Sequence, residues 1–308
     1  MKRRIGLTLG GGGVRGLAHI PVLETLDEFD CRPSVISGTS MGAVIGALYA
    51  SGMSGETIRE LIMRHTVSKS DTWPDVLRKK ADLLKWVDAL SLEFGRGGLI
   101  NTDKFLSYLL SEIGEKTFEE LETPLLVVAT DFWGGEEVVM EKGELLPALK
   151  ASMAVPGVFG SVSISDKVLV DGGVVNLVPY DHIIDRCDVS IVVNVAKART
   201  PGKLDPPTVL ESILGTFEIM QMSALAEKMK HLEPDIYIHP EISDVRMFDF
   251  NKIEDVFRQT QPAIEELRML LRKNILENEN DLIFVRPFFC FVLCLLISTS
   301  SITESAIF

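Results

Sequence analysis

Ile5-Gly6-Leu7-Thr8-Leu9-Gly10-Gly11-Gly12-Gly13-Val14-Arg15-Gly16 opens the chain with a short apolar run that stops abruptly in glycine. Ile5 to Leu9 has the composition of a β-strand, and from Val14 to Phe29 apolar residues recur at helical spacing through Leu17, Ile20, Leu23, Leu26 and Phe29. The order strand, glycine loop, helix then returns. A second strand from Ser34 to Ser37 runs into Gly38-Thr39-Ser40-Met41-Gly42, and Ala43 to Ser51 continues as a helix of small residues ended by Gly52. Two such units in succession predict a parallel sheet with helices layered on it.

Further along, helical patterns cover 54–65, 75–92 and 102–113, the last with Asn101 as its N-cap and a glycine-rich connection at 95–98 before it. Leu125 to Thr130 is a continuous apolar run, as expected of a strand covered on both faces at the sheet centre. Strands are also expected at Glu137 to Met140, at Val168 to Val170 leading into Asp171-Gly172-Gly173, at Ile191 to Val195 and at Ile236 to His239. A helix is expected from Glu144 to Met153, and long amphipathic segments at 207–231 and 253–276 would cover the sheet. The alternation makes the fold class α/β with a mostly parallel sheet, in which functional groups gather at strand C-terminal ends. No internal repeat or low-complexity linker interrupts it.

The 308 residues, 46% hydrophobic and 24% charged, suffice for one globular domain or at most two. A net charge of -13 repels nucleic acid and anionic lipid at long range, which argues against a nucleic-acid role. Cys31, Cys187, Cys290 and Cys294 show neither metal-ligand nor disulfide-framework spacing, which suits a reducing cytoplasm. The apolar run after Lys2-Arg3-Arg4 is too short for a signal peptide, so secretion is not expected. From Phe288 to Ile297 the composition turns abruptly apolar, too briefly to span a bilayer. The expected division is therefore a domain at 1–286 and an atypical tail at 287–308, for which peripheral membrane contact, a dimer strand or a non-native end are the alternatives. Oligomeric state is left open.

Gly38-Thr39-Ser40-Met41-Gly42 fits G-x-S-x-G, where flanking glycines permit a sharp strand-to-helix turn with the serine exposed at its apex. A helix opening at Ser40 would favour negative charge developing beside its Oγ. The bland alternative is an N-cap serine. Gly11, Gly12 and Gly13 would leave successive amides uncovered at the same sheet edge, as an oxyanion hole requires, and Arg15 would add positive charge unless it is merely a structural ion pair. Gly11, Gly13 and Gly16 also satisfy a dinucleotide fingerprint, but the second strand ends in Gly38-Thr39-Ser40 rather than in the acidic residue that would bind ribose. A phosphate-binding P-loop fails for want of Gly-Lys-Ser or Gly-Lys-Thr after the glycines.

A serine hydroxyl needs a base. His19, His65, His182, His231 and His239 carry no local catalytic signature, with His182 kept as the fallback. Asp171 ends a strand and is followed by glycines that keep its approach open, although Asp-Gly alone would suggest only a turn.

With these motifs in order, the chain resembles the patatin-like phospholipase family: Gly11-Gly12-Gly13-Val14-Arg15-Gly16, then Gly38-Thr39-Ser40-Met41-Gly42, then Asp171-Gly172-Gly173. Ala151-Ser152-Met153-Ala154-Val155-Pro156-Gly157 is similar to the family segment before the aspartate, and the likeness runs from about Ile5 to Val195. The resemblance implies a three-layer α/β/α fold of the compact bacterial type and a Ser40-Asp171 dyad without histidine acting on acyl esters of lipids. It also implies an oxyanion hole from Gly11, Gly12 and Gly13, and neither metal nor organic cofactor. Leu83, Leu84, Trp86, Val87, Leu90 and Phe94 could cap an acyl pocket, unless the stripe is simply core. A nucleotide-binding oxidoreductase and a non-catalytic regulatory or membrane-recruitment module are the competing functions.

Overall fold

The computed structural model describes residues 3–64, 114, 116–197, 206–207, 209–247 and 249–276. The helices expected at 75–92 and 102–113, the glycine connection at 95–98, the apolar stripe at 83–94 and the tail at 287–308 lie outside the described residues. So does His65.

The strands are β1 (Ile5–Leu9), β2 (Val35–Thr39), β3 (Leu125–Asp131), β4 (Glu136–Met140), β5 (Val162–Ile164), β6 (Lys167–Asp171), β7 (Val189–Val193) and β8 (Ile236–Ile238). The described α-helices are α1 (His19–Glu28), α2 (Met41–Ala50), α3 (Gly55–Arg64), α4 (Leu145–Ser152), α5 (Val209–His231) and α6 (Ile253–Leu271). Every residue of β1, β2, β3 and β7 is buried, which is why these segments read as unbroken apolar or small-residue runs rather than alternating ones.

Parallel pairing joins β3, β2, β1, β7 and β8 in that order. Leu7, Leu9, Ile36, Val127 and Ile191 point to one face, where they pack with residues of α1, α2, α3, α4 and α6. The residues that alternate with them point the other way: Val192 packs beneath Leu177, Tyr180 and Leu225 of α5, and Val35 and Leu126 beneath Ile183. Helices and turns thus cover both faces, giving the three-layer α/β/α arrangement. No helix among the described residues is long and apolar enough to cross a membrane.

The sheet departs from the sequence reading at β3, β5 and β6. Val127 and Val128 pair with both β2 and β4, so those two strands lie on opposite edges of β3. Ala129, Thr130 and Asp131 pair with both β4 and β6, so β6 shares the edge occupied by β2. β2 therefore runs along that edge as far as Thr39, opposite Val128, and antiparallel β6 comes to meet it, ending at Asp171 opposite Ala129. β3 is not the centre of the sheet but lies next to its half-exposed edge strand, β4. Asp171 does not end a parallel strand. β6 instead returns from β5 through a hairpin at Ser165-Asp166.

The first helix also differs. A 3-10 turn, Gly13–Ala18, precedes α1, because Pro21 has no N–H and is tolerated only in the first turn of an α-helix.

Candidate active site

Ser40 follows the last residue of β2 and is the N-cap of α2, with φ 54° and ψ -126°. Positive φ is rare outside glycine and costs about 1–3 kcal/mol, so the fold must hold this residue in place. The neighbouring glycines supply the room. A Cβ added at Gly42 would lie 2.0 Å from Leu9 O, and one at Gly38 2.7 Å from the Ala43 backbone. The Ser40 N–H donates to Ser152 Oγ at 2.8 Å. Its hydroxyl makes no capping bond, so the N-cap alternative does not account for the side chain.

The glycine loop lies directly against this turn: a Cβ at Gly11 would sit 3.3 Å from Ser40 Cβ, and one at Gly16 2.6 Å from Met41 Cγ. The Gly11 N–H donates to Leu177 O at 3.0 Å and the Val14 N–H to Met247 O at 2.8 Å. Gly11 thus spends its amide on holding the loop, unlike the expectation that all three glycines present theirs. Gly12 is the N-cap of the 3-10 turn and Gly13 its first residue, positions whose N–H groups have no acceptor within their own turn. The same two bonds remove amides that a pyrophosphate would need, which weighs against the dinucleotide alternative.

Arg15 is 1% exposed, lines the same pocket as Ser40 and Asp171, and is held as an ion pair. Its guanidinium donates to Val195 O at 3.3 Å, to Val245 O at 3.2 Å and to Glu218 Oε1 at 2.6 Å, tying the loop to the end of β7, the segment before α6, and α5. Gly10 O accepts from Nε2 of fully buried His19 at 2.8 Å. Burial pushes that imidazole down to about 4, so it is neutral at pH 7 and Nε2 is the protonated nitrogen.

Asp171 is 3% exposed. Oδ1 accepts the Gly173 N–H at 2.7 Å, and Oδ2 is buried without a completed hydrogen bond. Burial raises the carboxyl to about 6, against the opposing pull of the Gly173 amide and the Ser40 hydroxyl. The hydroxyl is thus close enough to act on the carboxylate although the pair is not aligned at rest, as is common before substrate binds. The glycines after Asp171 leave room at the carboxylate and for close packing: a Cβ at Gly173 would lie 2.9 Å from Asp171 Oδ1 and 2.5 Å from Gln221 Nε2, and one at Gly172 2.3 Å from Val128 O.

Ser40, Asp171, Gly11, Gly12 and Gly13 line one pocket of about 720 Å³, including its solvent-open mouth. The wall is largely apolar, with Met153, Val155, Phe159, Phe217, Met247 and Phe250. Sequence reasoning missed most of this wall, because Phe217, Met247 and Phe250 follow the last motif by dozens of residues; only Met153 and Val155 stood in a quoted segment. None of the described histidines lines the pocket. His182 instead bonds Glu137 Oε1 at 2.9 Å, an interaction that raises its pKa.

The family model of patatin-like phospholipases matches residues 7–184. Among curated proteins, an uncharacterized NTE family protein of Mycobacterium tuberculosis is 33% identical over 193 residues, 62% of this chain and 49% of the relative. Lysophospholipase NTE1 of Saccharomyces cerevisiae is 25% identical over 279 residues, 82% of this chain and 16% of that protein. The chain spans about half the length of the mycobacterial relatives it matches. Among solved structures, VipD of Legionella pneumophila gives a TM-score of 0.47 at 14% identity, covering 86% of this chain and 67% of that one. The match extends over more than half of the sequence and carries the glycine loop, the Ser40 elbow and the Asp171 turn in one span: this chain belongs to the patatin-like phospholipase family.

Proposed function

We propose that this chain is a serine acyl hydrolase that cleaves carboxylic esters of lipids, with Ser40 as nucleophile and Asp171 as its base. Oδ2 of Asp171 takes the hydroxyl proton as Ser40 Oγ attacks the ester carbonyl carbon. The Gly12 and Gly13 amides receive the oxyanion, a contact worth about a hundredfold or more in rate per donor. Collapse of the tetrahedral intermediate releases the alcohol, which takes the proton from Asp171 and leaves an acyl group on Ser40. Water, deprotonated by the same carboxylate, then releases the fatty acid.

The observation that carries this reading is the buried Oδ2 of Asp171, without a completed hydrogen bond, in the same pocket that Ser40 and the glycine loop line. With its pKa near 6 the carboxylate is ionised at neutral pH yet closer to the operating pH than an ordinary aspartate, as suits a general base. Family membership and the lysophospholipase name of the yeast relative support a lipid ester as substrate, as does the apolar pocket wall.

The test is labelling by a fluorophosphonate probe, comparing the parent with Ser40→Ala and Asp171→Asn, followed by hydrolysis of an acyl-chain panel. Labelling of the parent alone is expected. Labelling that survives Ser40→Ala refutes the assignment.

A further inference from the structure

Asn176 belongs to none of the motifs, yet its segment touches all of them. Its carbonyl accepts from Thr39 Oγ1 at 2.9 Å, and its N–H donates to Gly172 O at 2.8 Å. The next carbonyl, Leu177 O, is the acceptor that holds the Gly11 N–H. Two successive residues therefore bind the glycine loop, the residue before Ser40 and the turn after Asp171.

The Asn176 side chain is buried, and both of its polar atoms are engaged. Nδ2 donates to Glu137 Oε1 on β4 at 2.9 Å and to Asp181 Oδ1 at 3.1 Å, and Oδ1 accepts from Lys228 Nζ on α5 at 2.6 Å. Lys228 also donates to Asp181 Oδ1 at 2.5 Å. That ammonium makes the acidic group of Glu137, Asp181 and His182 an ion-pair network rather than a cation site. Among similar side chains only an amide fits this position: an aspartate would turn a third carboxylate toward Glu137 and Asp181, and a leucine would strand the ammonium.

We propose that Asn176 is a positioning residue for the Ser40–Asp171 reaction, its side-chain amide fixing the 176–177 backbone that aligns all three motif loops. The proposal rests on the hydrolase reading above. The role is one of alignment: Asn176 is absent from the residues lining the pocket.

The experiment compares the full chain with Asn176→Asp, Asn176→Asp/Glu137→Gln, Lys228→Met and the surface control Lys230→Ala. Five quantities are measured: hydrogen exchange of the Gly11 amide and of the β7 amides, the rate of fluorophosphonate labelling, and kcat and KM on a p-nitrophenyl ester. For Asn176→Asp, Gly11 exchange and the labelling defect should each change by about 10- to 100-fold, with kcat falling alike, KM held within about twofold and β7 amides still protected. The double variant, which restores a donor opposite the new carboxylate, should return to within about threefold of the parent. Lys228→Met, which keeps Asn176 in place but releases its anchor, should loosen Gly11 in the same direction and serves if the aspartate variant does not fold. Unchanged Gly11 exchange in the folded variants, exchange that rises equally in β7, or no recovery in the double variant overturns the proposal. If the parent itself takes no label, the hydrolase reading falls and Gly11 exchange still decides whether Asn176 aligns the loops.

Discussion

The backbone N–H of Ser40 donates to Ser152 Oγ, so the turn that carries the proposed nucleophile is pinned by a hydroxyl at the end of α4. Ser152→Ala leaves a buried N–H without a partner, at a cost of about 1–3 kcal/mol. We expect a matching loss in urea denaturation and slower labelling of Ser40. An unchanged denaturation midpoint would contradict the pinning role.

Strain at Ser40 predicts that removing the proposed nucleophile can stabilise the protein. Glycine accepts the positive φ of this position freely and alanine does not, so Ser40→Gly should exceed Ser40→Ala in stability by about 1 kcal/mol, both being inactive. Thermal melts of the two variants read the difference directly. Equal melting temperatures would mean that the turn carries no strain.

Asp171 predicts a pH dependence of opposite sign for activity and stability. The proposed mechanism needs the carboxylate, so kcat/KM should rise with pH through about 6. The folded pKa is raised, so the stability that the protonated form contributes is fully present below the ordinary value of 3.8 and is lost as pH rises through about 6. Asp171→Asn removes that loss and should gain on the order of 3 kcal/mol over the parent at pH 8, but nothing at pH 3.5. Denaturation series at both pH values check it.

Arg15 gives a prediction about coupling. Removing one partner of a buried ion pair costs about 3–5 kcal/mol, chiefly because the other charge is left uncompensated. Arg15→Met and Glu218→Gln should each destabilise, and the double variant should lose less than the sum by about 1 kcal/mol or more. Additivity in that cycle would show that the 2.6 Å contact contributes little.

Gly42 in the elbow and Gly46 further along α2 separate by what they touch. Gly42→Ala drives a methyl into Leu9 O and should abolish soluble folded protein, whereas Gly46→Ala meets only side chains, Ile36 Cγ2 at 3.3 Å among them, and should change stability by no more than about 1 kcal/mol. Expression and thermal melts of the pair distinguish the two environments.

The parallel strands were legible in the sequence because burial on both faces leaves unbroken apolar runs, as in Leu125 to Thr130. Ser40, Asp171 and the glycine loop were legible because tight turns admit few residue types. Arg15 was visible only as a charge: its partners Val195, Val245 and Glu218 lie at least 180 positions away, so nothing local marked it as structural. The direction of β6 was hidden for another reason. A short apolar strand has the same composition whichever way it runs, and the Ser165-Asp166 reversal that fixes its direction lacks a glycine or proline to announce it.

β6 pairs with β3 through Leu169, Val170 and Asp171, with one more bond from the Phe132 N–H to Val168 O. If the β5–β6 ribbon detached, β3, β2, β1, β7 and β8 would still form a complete parallel sheet carrying an intact elbow. Such a species would look native by circular dichroism and yet lack the carboxylate of the proposed dyad, so on that reading competence is a property of one small ladder rather than of the bulk fold.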